Sequence, residues 1–268
     1  MDYKVDTPQI LGIYHIICIL AVIALSAFLI VKFKNTDEKT VRIILLVASL
    51  TTIAFEIYKQ FIFGITVDGT AISYDYAWYA FPFQFCSTPM YLQLLAALIP
   101  SKKIRHMLCA YLATYALLAG LIVMLYPGDV FISTAGINLQ TMVCHGLMTA
   151  VGAFLLVRYI RLEHKTILHA MGIFGVVVII AMALNEAAFF SGIIGDETFN
   201  MMFISPHFDC TLPILSEIYK AVPYPVFFMI YIFAFSLAAY IILLAAMGMK
   251  AFVRLHRHNK KPKESATV

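Results

Sequence analysis

Long apolar segments alternate with short polar ones along the whole chain, and this pattern predicts a series of helices that cross a membrane. An α-helix rises about 1.5 Å per residue, so a segment of roughly 20 residues crosses a hydrocarbon layer of about 30 Å. The predicted spans lie at about residues 10–31, 41–63, 78–99, 105–126, 137–160, 166–191 and 224–249. We therefore expect an all-α membrane protein, with one transmembrane domain formed by a bundle of about seven helices.

Composition narrows the class of protein further. Hydrophobic residues make up 62% of the 268 residues and charged residues 13%, whereas soluble domains average about 45–50% and about 25%. The formal net charge of +4 does not indicate nucleic-acid binding, because the basic residues lie at the predicted membrane edges rather than on one surface. The expected partners are membrane phospholipids, not nucleic acid.

The distribution of Lys and Arg predicts the orientation of the spans. Of the 19 basic residues, sixteen follow predicted spans 1, 3, 5 and 7, whereas Lys4 and Lys220 lie on the opposite side and Lys59 lies within span 2. Because basic loops stay in the cytoplasm, this asymmetry predicts an N-terminus outside and a cytoplasmic C-terminus. Residues 250–268 then form a basic cytoplasmic tail, and we expect a multi-pass protein of the cell membrane.

The predicted outer loop at residues 193–223 differs from an ordinary external segment. Its middle, Met201-Met202-Phe203-Ile204, is too apolar for a free surface loop. Irregular backbone at membrane depth is tolerated only where protein covers its polar groups. We therefore expect this loop to re-enter or cap the bundle.

Polar side chains from four predicted spans lie at one depth in the outer half of the membrane. Counted from the outer span ends, Cys86 and His145 are each roughly 12 Å deep, Glu56 roughly 10 Å, and Asn185 with Glu186 roughly 9 Å. Strongly polar groups are costly in hydrocarbon, so each of them is a candidate functional residue.

This polar layer contains the groups that acyl transfer by a cysteine requires. A histidine within hydrogen-bond reach accepts the thiol proton and so creates a nucleophile, and a third group orients the imidazole. We therefore predict Cys86 as the nucleophile and His145 as the general base and acid. Asn185, Glu186 and Glu56 are the candidates for the orienting group.

The depth of the layer favours a phospholipid acyl chain as the substrate, because the site would open within lipid. Gln84, Glu56 and Asn200 are candidates for binding that substrate, and Gln84 is also a candidate donor to a developing oxyanion. No cofactor and no metal ion are expected. A zinc site from Cys86, His145 and Glu56 is conceivable, but their spacing matches no known ligand motif.

A second interpretation belongs to a different class of protein. A transporter or binder of a small polar solute or ion would use Glu56, Lys59, His145 and Asn185 as its site, and its activity would not depend on the Cys86 thiol. A retinal-type photoreceptor is disfavoured, because the last predicted span contains no lysine for a Schiff base. The oligomeric state is left open by the sequence.

Four ordered patches between about residues 40 and 245 resemble the YwaF family of bacterial membrane proteins, which is related to the animal transmembrane protein 164. The patches are residues 81–86 (Phe-Pro-Phe-Gln-Phe-Cys), residues 144–146 (Cys-His-Gly), Asn185 followed by residues 200–203 (Asn-Met-Met-Phe), and residues 223–225 (Pro-Tyr-Pro). The first is similar to the family pattern Pro-x-His-x-Cys, although Gln84 stands where the family has His. The third is similar to Asn-Tyr-Met-Phe and the last to Pro-Trp-Pro.

The resemblance implies a seven-helix membrane fold. For the animal branch it also implies a cysteine-dependent phospholipid acyltransferase, in which a cysteine forms an acyl-enzyme and a histidine assists. By motif these roles fall on Cys86 and His145, the two residues that the depth of the polar groups also selects. An acyl-transferring or lipid-hydrolysing enzyme is therefore the expected function.

Overall fold

The structure is a computed structural model that describes residues 4–68, 70–128 and 130–259. Helices account for most of the described chain, and six of them are long and apolar enough to cross a membrane. These six are α1 (Ile13–Lys32), α2 (Glu38–Gly64), the continuous rod Lys102–Leu125, α6 (Ala135–Arg158), α7 (Lys165–Ser191) and α9 (Tyr224–Asn259). The chain is therefore a multi-pass membrane protein, as predicted.

The predicted third span, residues 78–99, is not one helix. A 3-10 turn (Trp78–Ala80) is followed by irregular backbone, and helix α3 extends only over Thr88–Leu98. Eleven residues of helix measure about 16 Å, roughly half of a hydrocarbon layer. Pro89 lies in the first turn of α3, where its missing N–H leaves no hydrogen bond broken, so the helix begins there instead of continuing through it.

The rod Lys102–Leu125 changes its helical type in the middle of the bundle. It comprises α4 (Lys102–Tyr111), a π-helical segment (Leu112–Ala116) and α5 (Leu117–Leu125). All five residues of the π-helical segment are buried. Such wide turns are rare and are found frequently at functional sites.

The rod and α6 form the centre of the bundle, because most of their residues are buried, whereas α1 lies at the periphery. Their backbones approach closely at two glycines. A methyl group on Gly152 would lie 2.8 Å from Leu117 Cβ, and one on Gly120 would lie 2.6 Å from Thr149 Oγ1. Small residues at helix contacts are typical of membrane bundles, where close van der Waals packing drives association.

Two elements lie outside the predicted pattern. Strands β1 (Ile65–Asp68) and β2 (Ala71–Tyr74) form an antiparallel hairpin after α2, with Ile65 paired to Tyr74.

Helix α9 continues to Asn259, ten residues beyond the predicted span. The first half of the predicted tail is therefore helical, and it contains neither glycine nor proline to end the helix before Pro262. Residues 260–268 lie outside the described residues.

The outer loop caps the bundle, as predicted. Met201, Met202 and Ile204 are fully buried, and two tyrosines of α9 bond to their backbone. Tyr231 donates to the Met202 carbonyl (2.9 Å) and Tyr224 to the Ile204 carbonyl (2.6 Å). The loop contains a 3-10 turn (Met201–Phe203) and a short helix, α8 (Leu215–Ala221).

Candidate active site

Cys86 and His145 lie next to each other in the structure. Cys86 is half-buried in the turn that leads into α3, and His145 is buried on α6. The thiol and the imidazole are close enough to act as hydrogen-bond partners, and Glu56 and Lys59 lie within electrostatic range of the thiol. Two of the four predicted spans that equal depth had grouped together therefore bring their side chains close to each other.

The orientation of the His145 ring is set by its own helix. Nδ1 lies 2.8 Å from the backbone carbonyl oxygen of Thr141, one turn earlier in α6. A carbonyl only accepts, so Nδ1 carries the proton of the neutral ring and Nε2 is left as an acceptor. This is the tautomer that can take a proton from a thiol. The Thr141 carbonyl occupies the orienting position for which the sequence suggested Asn185, Glu186 or Glu56.

Glu56 is buried and its charge is compensated within α2. Lys59 Nζ lies 2.7 Å from Glu56 Oε1, and Gln60 Nε2 donates to the same oxygen at 2.7 Å. The Gln60 amide also donates to the carbonyl of Ala80 (2.8 Å), which joins α2 to the segment before Cys86. Glu56 thus lies beside the site as part of an ion pair rather than as a free carboxylate.

An apolar cavity of about 310 Å³ opens between α2 and α3 beside this ion pair. Glu56 and Gln60 supply its polar groups, and Pro82 and Met90 form part of its wall. These two wall residues lie four positions before and after Cys86 in the sequence. The cavity wall therefore includes residues on both sides of Cys86 in the chain, although Cys86 itself does not line it.

Three buried or half-buried amide side chains, Gln84, Asn185 and Asn200, hold the outer loop in place, and we call them the amide clamp. Asn185 accepts from the Met201 N–H (2.7 Å) and donates to the Met201 carbonyl (3.1 Å). Gln84 accepts from the Met202 N–H (2.8 Å) and donates to the Asn200 carbonyl (3.0 Å). The amide clamp therefore ties the loop to α7 and to the turn that contains Cys86.

The Asn200 side chain stabilises the loop from within. It accepts from the Ser205 N–H (2.8 Å) and donates to the Asp209 carbonyl (3.1 Å). The structure thus uses Gln84 and Asn200 to bind backbone, where the sequence predicted contacts with substrate. In this conformation the Gln84 amide oxygen and one of its two N–H donors are therefore already bound to the loop backbone.

Glu186 also points to the outer loop rather than to His145. Its carboxylate lies 3.1 Å from His207 Nε2, and the His207 ring stacks on Phe189 with 3.7 Å between ring centroids. The Glu186 side chain is 40% exposed, so its contact with His207 lies at the solvent-facing edge of the outer loop.

Tyr111 is a residue of the site that the sequence did not reveal. Its side chain is fully buried at the end of α4 and stacks on Tyr115, with ring centroids 5.3 Å apart and planes 9° apart. Its hydroxyl lies beside Thr88 and within electrostatic range of Cys86, yet it has no hydrogen-bond partner of normal geometry among the described residues. A phenol in an apolar span gives no sequence signal that separates it from ordinary core packing.

A buried hydroxyl without a partner is uncommon in folded proteins and costs about 1–3 kcal/mol. Tyr115, one turn later, shows the usual arrangement, because its hydroxyl donates to Ser236 Oγ (2.8 Å). Tyr111 therefore presents a buried hydroxyl beside Thr88, within electrostatic range of the thiol, that makes no hydrogen bond of normal geometry among the described residues. Within the described part of the chain, no group of three His, Cys, Asp or Glu side chains is placed to hold a metal ion.

Comparison with known proteins adds one match. The model of the TMEM164 family matches residues 10–247, which is most of the chain. This confirms the predicted relationship to transmembrane protein 164, whereas the narrower YwaF-like assignment stays a prediction. No curated protein and no solved structure matches the chain.

Proposed function

The chain belongs to the TMEM164 family, and from this premise we propose that it is a membrane enzyme that transfers or hydrolyses phospholipid acyl groups. The observation that carries the proposal is the proximity of the Cys86 thiol and the His145 imidazole. The His145 tautomer supports it, because the Thr141 carbonyl leaves Nε2 free to accept the thiol proton.

In the proposed reaction, Nε2 of His145 takes the proton of Cys86 and Sγ attacks the carbonyl carbon of a phospholipid ester. The C–O bond of the tetrahedral intermediate then breaks, and His145 returns the proton to the leaving alkoxide. A thioester to Cys86 remains. Water or the hydroxyl of a second lipid attacks that thioester and restores the thiol, which gives hydrolysis or acyl transfer respectively.

Tyr111 is the proposed donor to the oxyanion of the tetrahedral intermediate. Its hydroxyl is buried, lies beside Thr88 and is within electrostatic range of Cys86. A donor held ready in a low-dielectric site stabilises developing charge without reorganisation. Tyr111 is therefore proposed for the role that the sequence suggested for Gln84, whose amide oxygen and one N–H already bind the loop backbone.

The cavity between α2 and α3 is the proposed binding site for the acyl chain. Its surface is mostly apolar, and neighbouring residues of α2 such as Ile57 and Phe61 are more than half exposed, as lipid-facing side chains are. A hydrocarbon chain could therefore enter sideways from the membrane and reach the turn that contains Cys86.

We further propose seven crossings with the N-terminus outside and the C-terminus in the cytoplasm. The segment from residue 75 to Leu98 supports a broken third crossing, because both of its ends contact the ends of α2. The Asp75 N–H donates to the Gly64 carbonyl (2.8 Å) at one end, and Arg42 Nε donates to the Ala97 carbonyl (2.6 Å) at the other. The distribution of Lys and Arg supplies the orientation.

The activity is tested by supplying membranes with a phospholipid that carries an alkyne-labelled acyl chain and measuring release or transfer of the label. We expect Cys86→Ala to abolish turnover, and Cys144→Ala to retain it. Cys144 is the matched control, because its thiol is buried beside His145 in sequence but bonds to Gln140 (3.6 Å). Turnover that persists in Cys86→Ala would refute the proposal.

A further inference from the structure

A second cavity, of about 460 Å³, lies at the opposite end of the bundle from Cys86. It is an open cavity lined by the start of α2, the end of α3 and the start of α4, and we call it the basic cavity. Glu38 of its wall and Glu56 of the candidate active site are eighteen residues apart on α2, which corresponds to about 27 Å. The basic cavity is therefore separate from the site proposed for acyl transfer.

Positive charge dominates the basic cavity. Lys39, Arg42, Lys102 and Arg105 line it together with one carboxylate, that of Glu38, so the formal excess is three positive charges. Glu38 is already paired, since Arg105 Nη1 lies 2.7 Å from its Oε2 and the Tyr159 hydroxyl donates to the same oxygen at 3.0 Å.

The two arginines are held in position by the end of α3. Arg105 Nε donates to the Ala96 carbonyl (3.0 Å) and its Nη2 to the Ile99 carbonyl. Arg42 Nη2 donates to the Leu98 carbonyl (3.3 Å), beside its bond to Ala97. The last carbonyls of a helix lack partners within the helix, so these guanidinium groups satisfy them and become fixed in the wall.

The lysines and the apolar wall complete an amphipathic site. Lys39 and Lys102 are exposed at the rim, whereas Ile43, Leu46 and Leu98 form apolar wall on the membrane side. Ile43 and Leu98 are more than half exposed, so this wall continues into the lipid-facing surface. A ligand that fits must carry an anionic group at one end and hydrocarbon at the other.

We propose that the basic cavity binds the phosphate headgroup of an anionic phospholipid, with Lys39 and Lys102 contacting the phosphate. Basic pockets between transmembrane helices are suited to anionic headgroups, and each lysine near the surface contributes about fivefold in affinity. A free phosphate ion would use the same charges, but it would leave the apolar wall without a partner. This site does not depend on the activity proposed for Cys86.

The test measures the thermal unfolding midpoint of the purified full-length protein in neutral detergent as lipid is added. Ligands that bind only the folded state raise this midpoint with concentration, and the rise gives the Kd. The probes are phosphatidylglycerol, phosphatidylcholine with the same acyl chains, and inorganic phosphate. We expect stabilisation by phosphatidylglycerol alone.

Two double variants of equal charge locate the effect. Lys39→Gln with Lys102→Gln should raise the Kd for phosphatidylglycerol by about 25-fold. Lys34→Gln with Lys103→Gln, which removes two exposed lysines that lie outside the cavity wall, should change it less than twofold. Equal losses in both double variants would overturn the proposal, as would stabilisation by phosphatidylcholine or inorganic phosphate that matches that by phosphatidylglycerol.

Discussion

Replacing Asn185 with leucine tests the amide clamp, because leucine has the same number of non-hydrogen side-chain atoms and the same branching but no polar atoms. The Asn185 side chain is fully buried and makes both of its bonds to the backbone of Met201, which is also fully buried. In Asn185→Leu the Met201 N–H loses its partner, and the Met201 carbonyl keeps only the Ile204 N–H (3.5 Å). At about 1–3 kcal/mol for one unpaired buried group, the loss of stability is at least roughly 1–3 kcal/mol.

The assay is thermal unfolding of the purified protein in detergent, together with acyl turnover below the transition. For a chain of this size, about 2–4 °C of midpoint shift accompanies each kcal/mol. We therefore expect Asn185→Leu to unfold at least about 2 °C below the wild type. Turnover should also fall, because the released loop is bound through Gln84 to the turn that contains Cys86.

Asn138 provides a matched control. It is 2% exposed and lies at the start of α6. Like Asn185, it makes two hydrogen bonds to one backbone residue: it accepts from the Ile132 N–H (2.9 Å) and donates to the Ile132 carbonyl (2.7 Å). Asn138→Leu should lose comparable stability and retain turnover at temperatures where it is folded. An unchanged midpoint in Asn185→Leu, or equal loss of turnover in both variants, would refute the reasoning.

Two further predictions address the oxyanion donor and the packing of the central helices. Tyr111→Phe should slow formation of the acyl-enzyme by roughly 100-fold or more while leaving alkylation of Cys86 by iodoacetamide unchanged, since alkylation develops no oxyanion. The control is Tyr115→Phe, because the Tyr115 hydroxyl donates to Ser236; this variant should slow acylation much less. Rapid acyl-enzyme formation in Tyr111→Phe would argue against the donor role. Gly152→Ala should destabilise the protein by about 1–3 kcal/mol, because its methyl group would meet Leu117 at 2.8 Å. The control is Gly172→Ala, because a methyl group on Gly172 would meet nothing within 4 Å; this variant should stabilise α7 by up to about 1 kcal/mol. Equal unfolding midpoints for the two glycine variants would contradict the packing described for α6.

Hydrophobic length predicted six of the helices because a continuous apolar run of about 20 residues has few alternatives in a membrane. It failed at residues 78–99, where average hydropathy is high but Pro89 decides where the helix begins. The hairpin after α2 and the π-helical segment were also missed. Both depend on packing and register that hydrophobic periodicity does not encode.

Equal depth along the membrane normal predicted that Cys86 and His145 lie in one layer, and their side chains are neighbours in the structure. Cys86 nevertheless lies in the turn before α3 rather than on a helix, so a helical rise does not explain its depth. Depth does not determine which way a side chain points. An amide at that depth can bind substrate or backbone equally well, and only the folded path of the outer loop shows that Gln84, Asn185 and Asn200 bind backbone. The orienting group for His145 was missed for a related reason, since a carbonyl acceptor such as that of Thr141 is present at every residue.

The most direct test of the central claim is intact-protein mass spectrometry after a short incubation with a phospholipid, followed by mapping of any acyl adduct. We expect the wild type to carry one hydroxylamine-sensitive acyl group on Cys86, and His145→Gln, which cannot act as the base, to carry none while remaining folded. An adduct that forms equally well in His145→Gln, or that maps to Cys144 instead of Cys86, would contradict the account.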